Sequence, residues 1–252
     1  MTVLSIAVLI YAGFCLFMYT TQRNAIYYPT PEAHMPEVED LRLESDGETL
    51  KIWRIAHADG ASAIIYFGGN AEDVSGNIAD FRFMFPQHNV YLVNYRGYGG
   101  STGAPTELGL YTDALAVFDE IASRYTNIAV IGRSLGSGVA IHLAAQRKLE
   151  KLVMVTPFDS IEVLAKESLP IFPISLLLKD KYRSIDLAPG IETPTLVLIA
   201  ERDGVIPRNS TDRLIAAFDA ARVVTHVLEE ATHNTVGGDP EYLSRLQLFL
   251  DD

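Results

Sequence analysis

Six short apolar runs recur along the chain with helix-patterned stretches between them, and this alternation limits the fold more than any other feature. The runs are Ser62–Phe67 (SAIIYF), Val90–Asn94 (VYLVN), Ile128–Ile131 (IAVI), Leu152–Thr156 (LVMVT), Thr195–Ala200 (TLVLIA) and Val223–Leu228 (VVTHVL). A strand that is apolar at every position has both faces buried, which is the signature of a mainly parallel sheet covered by helices on both sides. Helices are predicted near 74–85, 106–124, 135–147, 210–220 and 240–250. In the second, Leu110, Ala114, Val117, Phe118 and Ile121 share one helical face. Asp239-Pro240 pairs an N-cap with proline at the first helical position. Ahead of the alternation, residues 41–54 read as two strands joined at Asp46-Gly47, a strong hairpin signal. Residues 158–190 interrupt the pattern with Pro170, Pro173 and Pro189 around IFPISLLL and are expected to be a helical cap or lid insertion. The expected organisation is therefore an α/β catalytic domain over 41–252, preceded by a linker over 23–40 and an apolar segment over 1–22.

No side chain from Met1 to Gln22 is charged, and Arg23 ends the run. About 20 apolar residues suffice to cross the ~30 Å hydrocarbon core. A cleaved signal peptide would carry a basic start and a small-x-small cleavage site, and neither stands between Met1 and Tyr28. The segment is thus expected to be an uncleaved membrane anchor. With Arg23 as the flanking charge, the positive-inside rule leans toward a cytoplasmic catalytic part. Cys15 is the one cysteine, so no intramolecular disulfide forms, and within an apolar run it reads as a small hydrophobe. The net charge of −12 argues against a nucleic-acid partner, which requires a basic surface.

Chemistry enters where the run IAVI meets Gly132-Arg133-Ser134-Leu135-Gly136 and a helical pattern, VAIHLAAQ, follows. This is G-x-S-x-G at a strand-to-helix turn, the setting in which a serine is held exposed on a strained bend. Glycines two positions either side avoid collision with neighbouring elements, and the helix N-terminus stabilises negative charge at the reacting oxygen. Gly132-x-x-x-Gly136-x-Gly138 also matches a dinucleotide-binding glycine pattern, but that pattern belongs after the first strand, and no Tyr-x-x-x-Lys accompanies it. A nucleophilic serine needs a base and an orienting acid. Asp203 follows the run TLVLIA in Glu201-Arg202-Asp203-Gly204, and His233 follows VVTHVL in Ala231-Thr232-His233-Asn234. In a parallel sheet these loops lie on the edge that carries Ser134, and the order Ser, Asp, His is that of α/β-hydrolases. Asp159, after LVMVT, and Glu201 remain alternative acids. His226 lies inside a strand, and His34, His57, His88 and His142 sit on other elements without metal-ligand spacing. An oxyanion hole needs two backbone N–H groups. Leu135 and, in the loop Gly68-Gly69-Asn70-Ala71, Asn70 are the candidates, a plain glycine turn being the rival for the latter.

With these residues in place the chain resembles the small membrane-anchored α/β-hydrolases, the abhydrolase-domain proteins of dienelactone-hydrolase- or serine-peptidase-like type. Residues 22–29 (QRNAIYYP) look like that group's Q-R-x-x-x-Y-x-P lead-in, 66–73 (YFGGNAED) like its Y-F-H-G-N-A-x-x loop, and 94–101 (NYRGYGGS) like its D-Y-R-G-Y-G-x-S turn. Residues 156–160 (TPFDS) and 203–207 (DGVIP) match as well. Gly68 and Asn94 depart from the group, which carries histidine and aspartate there. The resemblance implies hydrolysis of esters or thioesters, with acyl-lipid or acylated-protein substrates, through an acyl-enzyme and without metal or organic cofactor. A serine peptidase on the same fold and a non-catalytic membrane-tethered binding protein are the alternative readings.

Overall fold

β-branched and aromatic side chains favour a pleated surface buried on both faces, and each of the six apolar runs is a strand. The computed structural model describes residues 2–57 and 62–251; Met1, residues 58–61 and Asp252, parts of the expected anchor and catalytic domain, lie outside them. An N-terminal helix α1 (Val3–Ile26) leads to the hairpin β1 (Glu39–Ser45) and β2 (Glu48–Ile55). The alternation then runs β3 (Ser62–Phe67), α2 (Ile78–Met84), β4 (His88–Val93), α3 (Glu107–Ala122), β5 (Asn127–Arg133), α4 (Leu135–Gln146) and β6 (Lys151–Val155). Three short helices follow, α5 (Ile161–Ser168), α6 (Ile174–Leu177) and α7 (Ser184–Leu187), and then β7 (Thr195–Ala200), α8 (Arg208–Ala217), β8 (Val223–Leu228) and α9 (Pro240–Asp251).

The strands form one sheet in the order β1-β2-β4-β3-β5-β6-β7-β8. β1–β2 and β2–β4 pair antiparallel, and every later pair is parallel. Successive strand residues point to opposite faces, which divides the core in two. Ile65, Phe67, Val130, Met154 and Val197 pack with Leu110 and Val117 of α3, Val139 and Ile141 of α4 and Leu214 of α8. Ile64, Tyr66, Ile131, Val153 and Leu198 face Phe81 and Met84 of α2 and Leu246 and Leu250 of α9. This is the mainly parallel sheet covered on both faces that the alternation predicts, in the α/β-hydrolase arrangement that the resemblance implies.

Where element ends differ from expectation, tertiary bonds are the reason. β5 extends two residues past Ile131 because pairing with β6 continues to Arg133, and Ser134 N–H still donates to the Val155 carbonyl. The helix expected from 74 opens as a tight 3₁₀ turn over 74–77, since the Asp73 carboxylate caps Ser75 N–H and only then does α2 begin. α1 continues past Gln22 to Ile26.

The turn 94–103 is held by Arg96, whose Nε and Nη2 donate to the two Asp113 carboxylate oxygens of α3 at 2.7 and 2.6 Å. Both side chains are buried. Removing one partner of a buried pair leaves an uncompensated charge and costs about 3–5 kcal/mol. Asp113→Ala is therefore expected to lower the thermal midpoint by roughly 2–4 °C per kcal/mol lost, read by circular dichroism.

Candidate active site

Ser134 sits between β5 and α4 at φ 49°, ψ −115°, a conformation that costs a non-glycine residue about 1–3 kcal/mol. The flanking glycines permit it. A Cβ on Gly132 would overlap the Gly136 carbonyl and Ala140, and a Cβ on Gly136 would overlap the Phe67 carbonyl at the end of β3. Ser134 is pinned by its N–H to Val155 and by its carbonyl, which accepts from Ser137 N–H and Oγ–H. Its side chain is left free to meet another loop.

That loop is 229–235, beyond β8. The Ser134 hydroxyl lies 2.9 Å from His233 Nε2, and His233 Nδ1 lies 2.8 Å from Asp203 Oδ2. A carboxylate accepts only, so Nδ1 carries the proton and Nε2 is the acceptor for the serine hydroxyl. Asp203 is itself fixed in the turn after β7, where Oδ1 accepts from Val205 and Ile206 N–H at 2.8 Å each. Burial pushes the Asp203 carboxyl up, but the bonds from His233, Ile206 and Val205 outweigh it and leave its pKa below the ordinary carboxylate value. An ionised Asp203 at neutral pH follows.

The alternative acids are placed elsewhere. Asp159 is fully buried and accepts from Ser160 N–H, the Ser210 hydroxyl and Arg213 Nε, which tie it to α8. Glu201 is exposed beside Arg208. Among the other histidines, His88 bonds Ser62 and His142 stacks on Tyr111. Among the described residues no group of three His, Cys, Asp or Glu side chains is arranged to hold a metal ion.

In the loop after β3, Gly69 N–H is taken by Glu72 Oε2 and Ala71 N–H by the Asn70 side chain. The Asn70 N–H between them has no partner among the described residues. Leu135, first residue of α4, likewise has no intrahelical acceptor for its N–H. Both residues line a cavity of about 400 Å³ that reaches Ser134 and His233. Its remaining wall is largely apolar, formed by Ile26, Phe158, Ile161, Leu164 and Ile206.

Sequence reasoning passed over Glu72 and Arg133. Glu72 accepts from the Tyr66 hydroxyl, Asn77 Nδ2, Gly69 N–H and Arg133 Nη1, at 2.6 to 3.1 Å. Arg133, the unspecified residue of G-x-S-x-G, also donates from Nη2 to the His233 carbonyl. One ion pair thus links the glycine loop, the serine turn and the histidine loop. The departure at Gly68 has its reason here: a Cβ there would meet Val74 Cγ1 at 2.7 Å and the Glu72 carboxyl at 3.3 Å. The only sequence signal was the acidic residue closing YFGGNAE. The tyrosines of the 94–101 turn support the same loop, Tyr95 donating to the Gly68 carbonyl and Tyr98 to Asn70 Oδ1.

No family model matches the chain. An uncharacterized protein of Mycobacterium tuberculosis is 34% identical, covering 96% of this chain and 89% of its own. The α/β-hydrolase domain-containing protein WAV2 of Arabidopsis thaliana is 29% identical over 71% of this chain and 67% of its own. Among solved structures, an esterase of Pyrococcus furiosus superposes with a TM-score of 0.72 at 20% identity, covering 89% of this chain and 98% of that one.

Two substitutions separate placement from folding. Glu72→Gln keeps the shape but removes the charge that orders Gly69 and Arg133. A misplacement on the order of 1 Å costs up to ~100-fold in rate, so turnover of a p-nitrophenyl ester is expected to fall ten- to a hundredfold while far-UV circular dichroism is unchanged. Asp159→Asn is expected to act on stability instead, losing about 1.5–3 kcal/mol in urea unfolding with turnover within about twofold of the parent.

Proposed function

The chain belongs to the α/β-hydrolase domain family, and we propose that it is a membrane-anchored serine hydrolase that cleaves carboxylic esters or thioesters of acyl, lipid-like substrates. The observation that carries this reading is the unbroken line of hydrogen bonds from Asp203 through His233 to Ser134 beside an apolar cavity. In the proposed mechanism His233 Nε2 takes the proton as Ser134 Oγ attacks the substrate carbonyl carbon. Asp203 holds the imidazole and stabilises the cation that forms. The carbonyl oxygen, now negative, accepts from the Leu135 and Asn70 N–H groups at the start of α4 and in the loop after β3. His233 then gives its proton to the leaving alcohol or thiol. Water, deprotonated by the same nitrogen, attacks the acyl-enzyme and releases the acid. The apolar wall of Phe158, Ile161, Leu164 and Ile26 suits an acyl chain.

The anchor half of the reading rests on α1. Among the described residues it is the helix long and apolar enough to cross a membrane. Leu4, Val8, Phe14, Leu16 and Phe17 are exposed on it, with no protein surface covering them.

Fluorophosphonate labelling tests the chemistry. The full chain is expected to label, and Ser134→Ala is expected to lose both label and activity, by 10⁴-fold or more on the order of other serine hydrolases. Asp203→Asn, which reverses the imidazole tautomer, is expected to drop kcat by about 10⁴-fold. A labelled Ser134→Ala protein would overturn the assignment. Turnover of aminoacyl anilides above p-nitrophenyl esters would replace esterase with peptidase. For the anchor, the chain is expected to stay with the membrane pellet in alkaline carbonate.

A further inference from the structure

The proposed anchor does not stand clear of the catalytic domain. From its middle to its end α1 is fastened to the segment that carries α5, α6 and α7. The Tyr11 hydroxyl donates to the Ile171 carbonyl at 2.8 Å, and the Tyr11 ring stacks on Phe172. Gln22 donates to the Leu177 carbonyl and accepts from Lys179 N–H. Lys179 Nζ lies over the Tyr19 ring at 4.0 Å, and Arg23 pairs with Asp180 at 2.8 Å. These contacts follow one another along the helix, so segment and helix run side by side.

Their order sets depth. A helix advances about 1.5 Å per residue, so the Tyr11 contact lies on the order of 16 Å further from the Arg23 end than Gln22 implies for its own contact level. Between those levels lie Phe14, Leu16 and Phe17, exposed by 56, 64 and 63%. With α1 spanning a bilayer, lipid that covers these three also reaches the residues beside Tyr11. Those residues are apolar and open: Ile171 is 73% exposed and Leu169 40%. Lys179, Asp180 and Arg23 lie at the other end, and the two charged residues next to Leu169, Lys166 and Glu167, are paired with Glu162 and Arg213.

We infer that the α5–α6 tip, Leu169 and Ile171, is a membrane-inserted surface that enters the hydrocarbon layer alongside α1. The partner is the acyl region of a phospholipid bilayer, and the inference rests on α1 being the anchor. Lone exposed apolar residues need no explanation, but here two lie beside a helix whose side chains Phe14, Leu16 and Phe17 also stand open. The consequence reaches the active site. The cavity at Ser134 is walled by Ile161 and Leu164 of α5 and by Ala25 and Ile26 at the end of α1. Immersing the tip brings this wall to the interface, so an acyl chain passes from lipid to the cavity without crossing water.

Depth measurement on the full chain tests this. In a Cys15→Ala background, single cysteines from Leu9→Cys, Ile171→Cys and Leu248→Cys carry an environment-sensitive nitrobenzoxadiazole label in phosphatidylcholine vesicles. Positions 9 and 171 are expected to be quenched by spin-labelled acyl chains and protected from iodide, while position 248 on α9 is quenched by iodide. Lipid quenching at 9 with iodide quenching at 171 would overturn the inserted tip and leave the anchor standing. Iodide quenching at 9 would overturn both. Protection of 171 from both quenchers would mean that protein covers the tip and would overturn it too. As a second readout, Leu169→Asp and Ile171→Asp, which lie outside the cavity wall, are expected to lower hydrolysis of a long-chain ester in vesicles about tenfold or more. Turnover of soluble p-nitrophenyl acetate is expected to stay within twofold; an equal loss on both substrates would count against the insertion.

Discussion

The close approach of α4 to the end of β3 is the contact from which the rest of the site takes its position. Gly136 lies so near the Phe67 and Gly68 carbonyls that any side chain there would overlap them. That proximity lets the helix begin immediately after the serine, holds Ser134 in its strained turn, and brings the first amides of α4 against the Gly68–Ala71 loop. Strain of about 1–3 kcal/mol at one residue is tolerable only where the surroundings over-determine it. Here they do, through the Val155 carbonyl on one side and Ser137 on the other.

A parallel sheet brings its loops to one edge but does not order them relative to one another. The Glu72–Arg133 pair supplies that order. With four donors on one carboxylate, the charge of Glu72 is well compensated despite low exposure, which is the condition for a buried ion pair to be tolerated. Arg133 spans two loops at once because its guanidinium presents several donors in a fixed plane. The Tyr95 and Tyr98 hydroxyls brace the same loop from the opposite side.

The N-terminal helix is tied into this framework. Arg23 meets Asp180, and the Tyr27 hydroxyl meets that of Tyr182. The Ile26 carbonyl and Tyr28 N–H both bond the Asn70 side chain, the neighbour of the amide proposed to hold the oxyanion. The residues of the QRNAIYYP lead-in therefore have a structural reason: they clasp α1 to the 158–190 segment and to the loop after β3. Whatever tilts α1 is mechanically linked to that loop.

Most of the fold was legible in the chain. Unbroken apolar runs marked the strands, to the residue for SAIIYF and TLVLIA and within two residues for the others, and G-x-S-x-G between IAVI and VAIHLAAQ marked the turn, because periodicity and turn chemistry act between neighbours. Asp203 and His233 were legible as positions, each at the end of a strand, since parallel topology carries such ends to one edge. That Asp203 rather than Asp159 meets the imidazole was decided only in three dimensions, where Ser210 and Arg213 of α8 claim Asp159. So too were the roles of Glu72 and Arg133 and the fastening of Tyr11 to Ile171. Those meetings join residues 61, 100 and 160 positions apart. They depend on the summed lengths and packing of everything between, and no local pattern in the sequence carries that information.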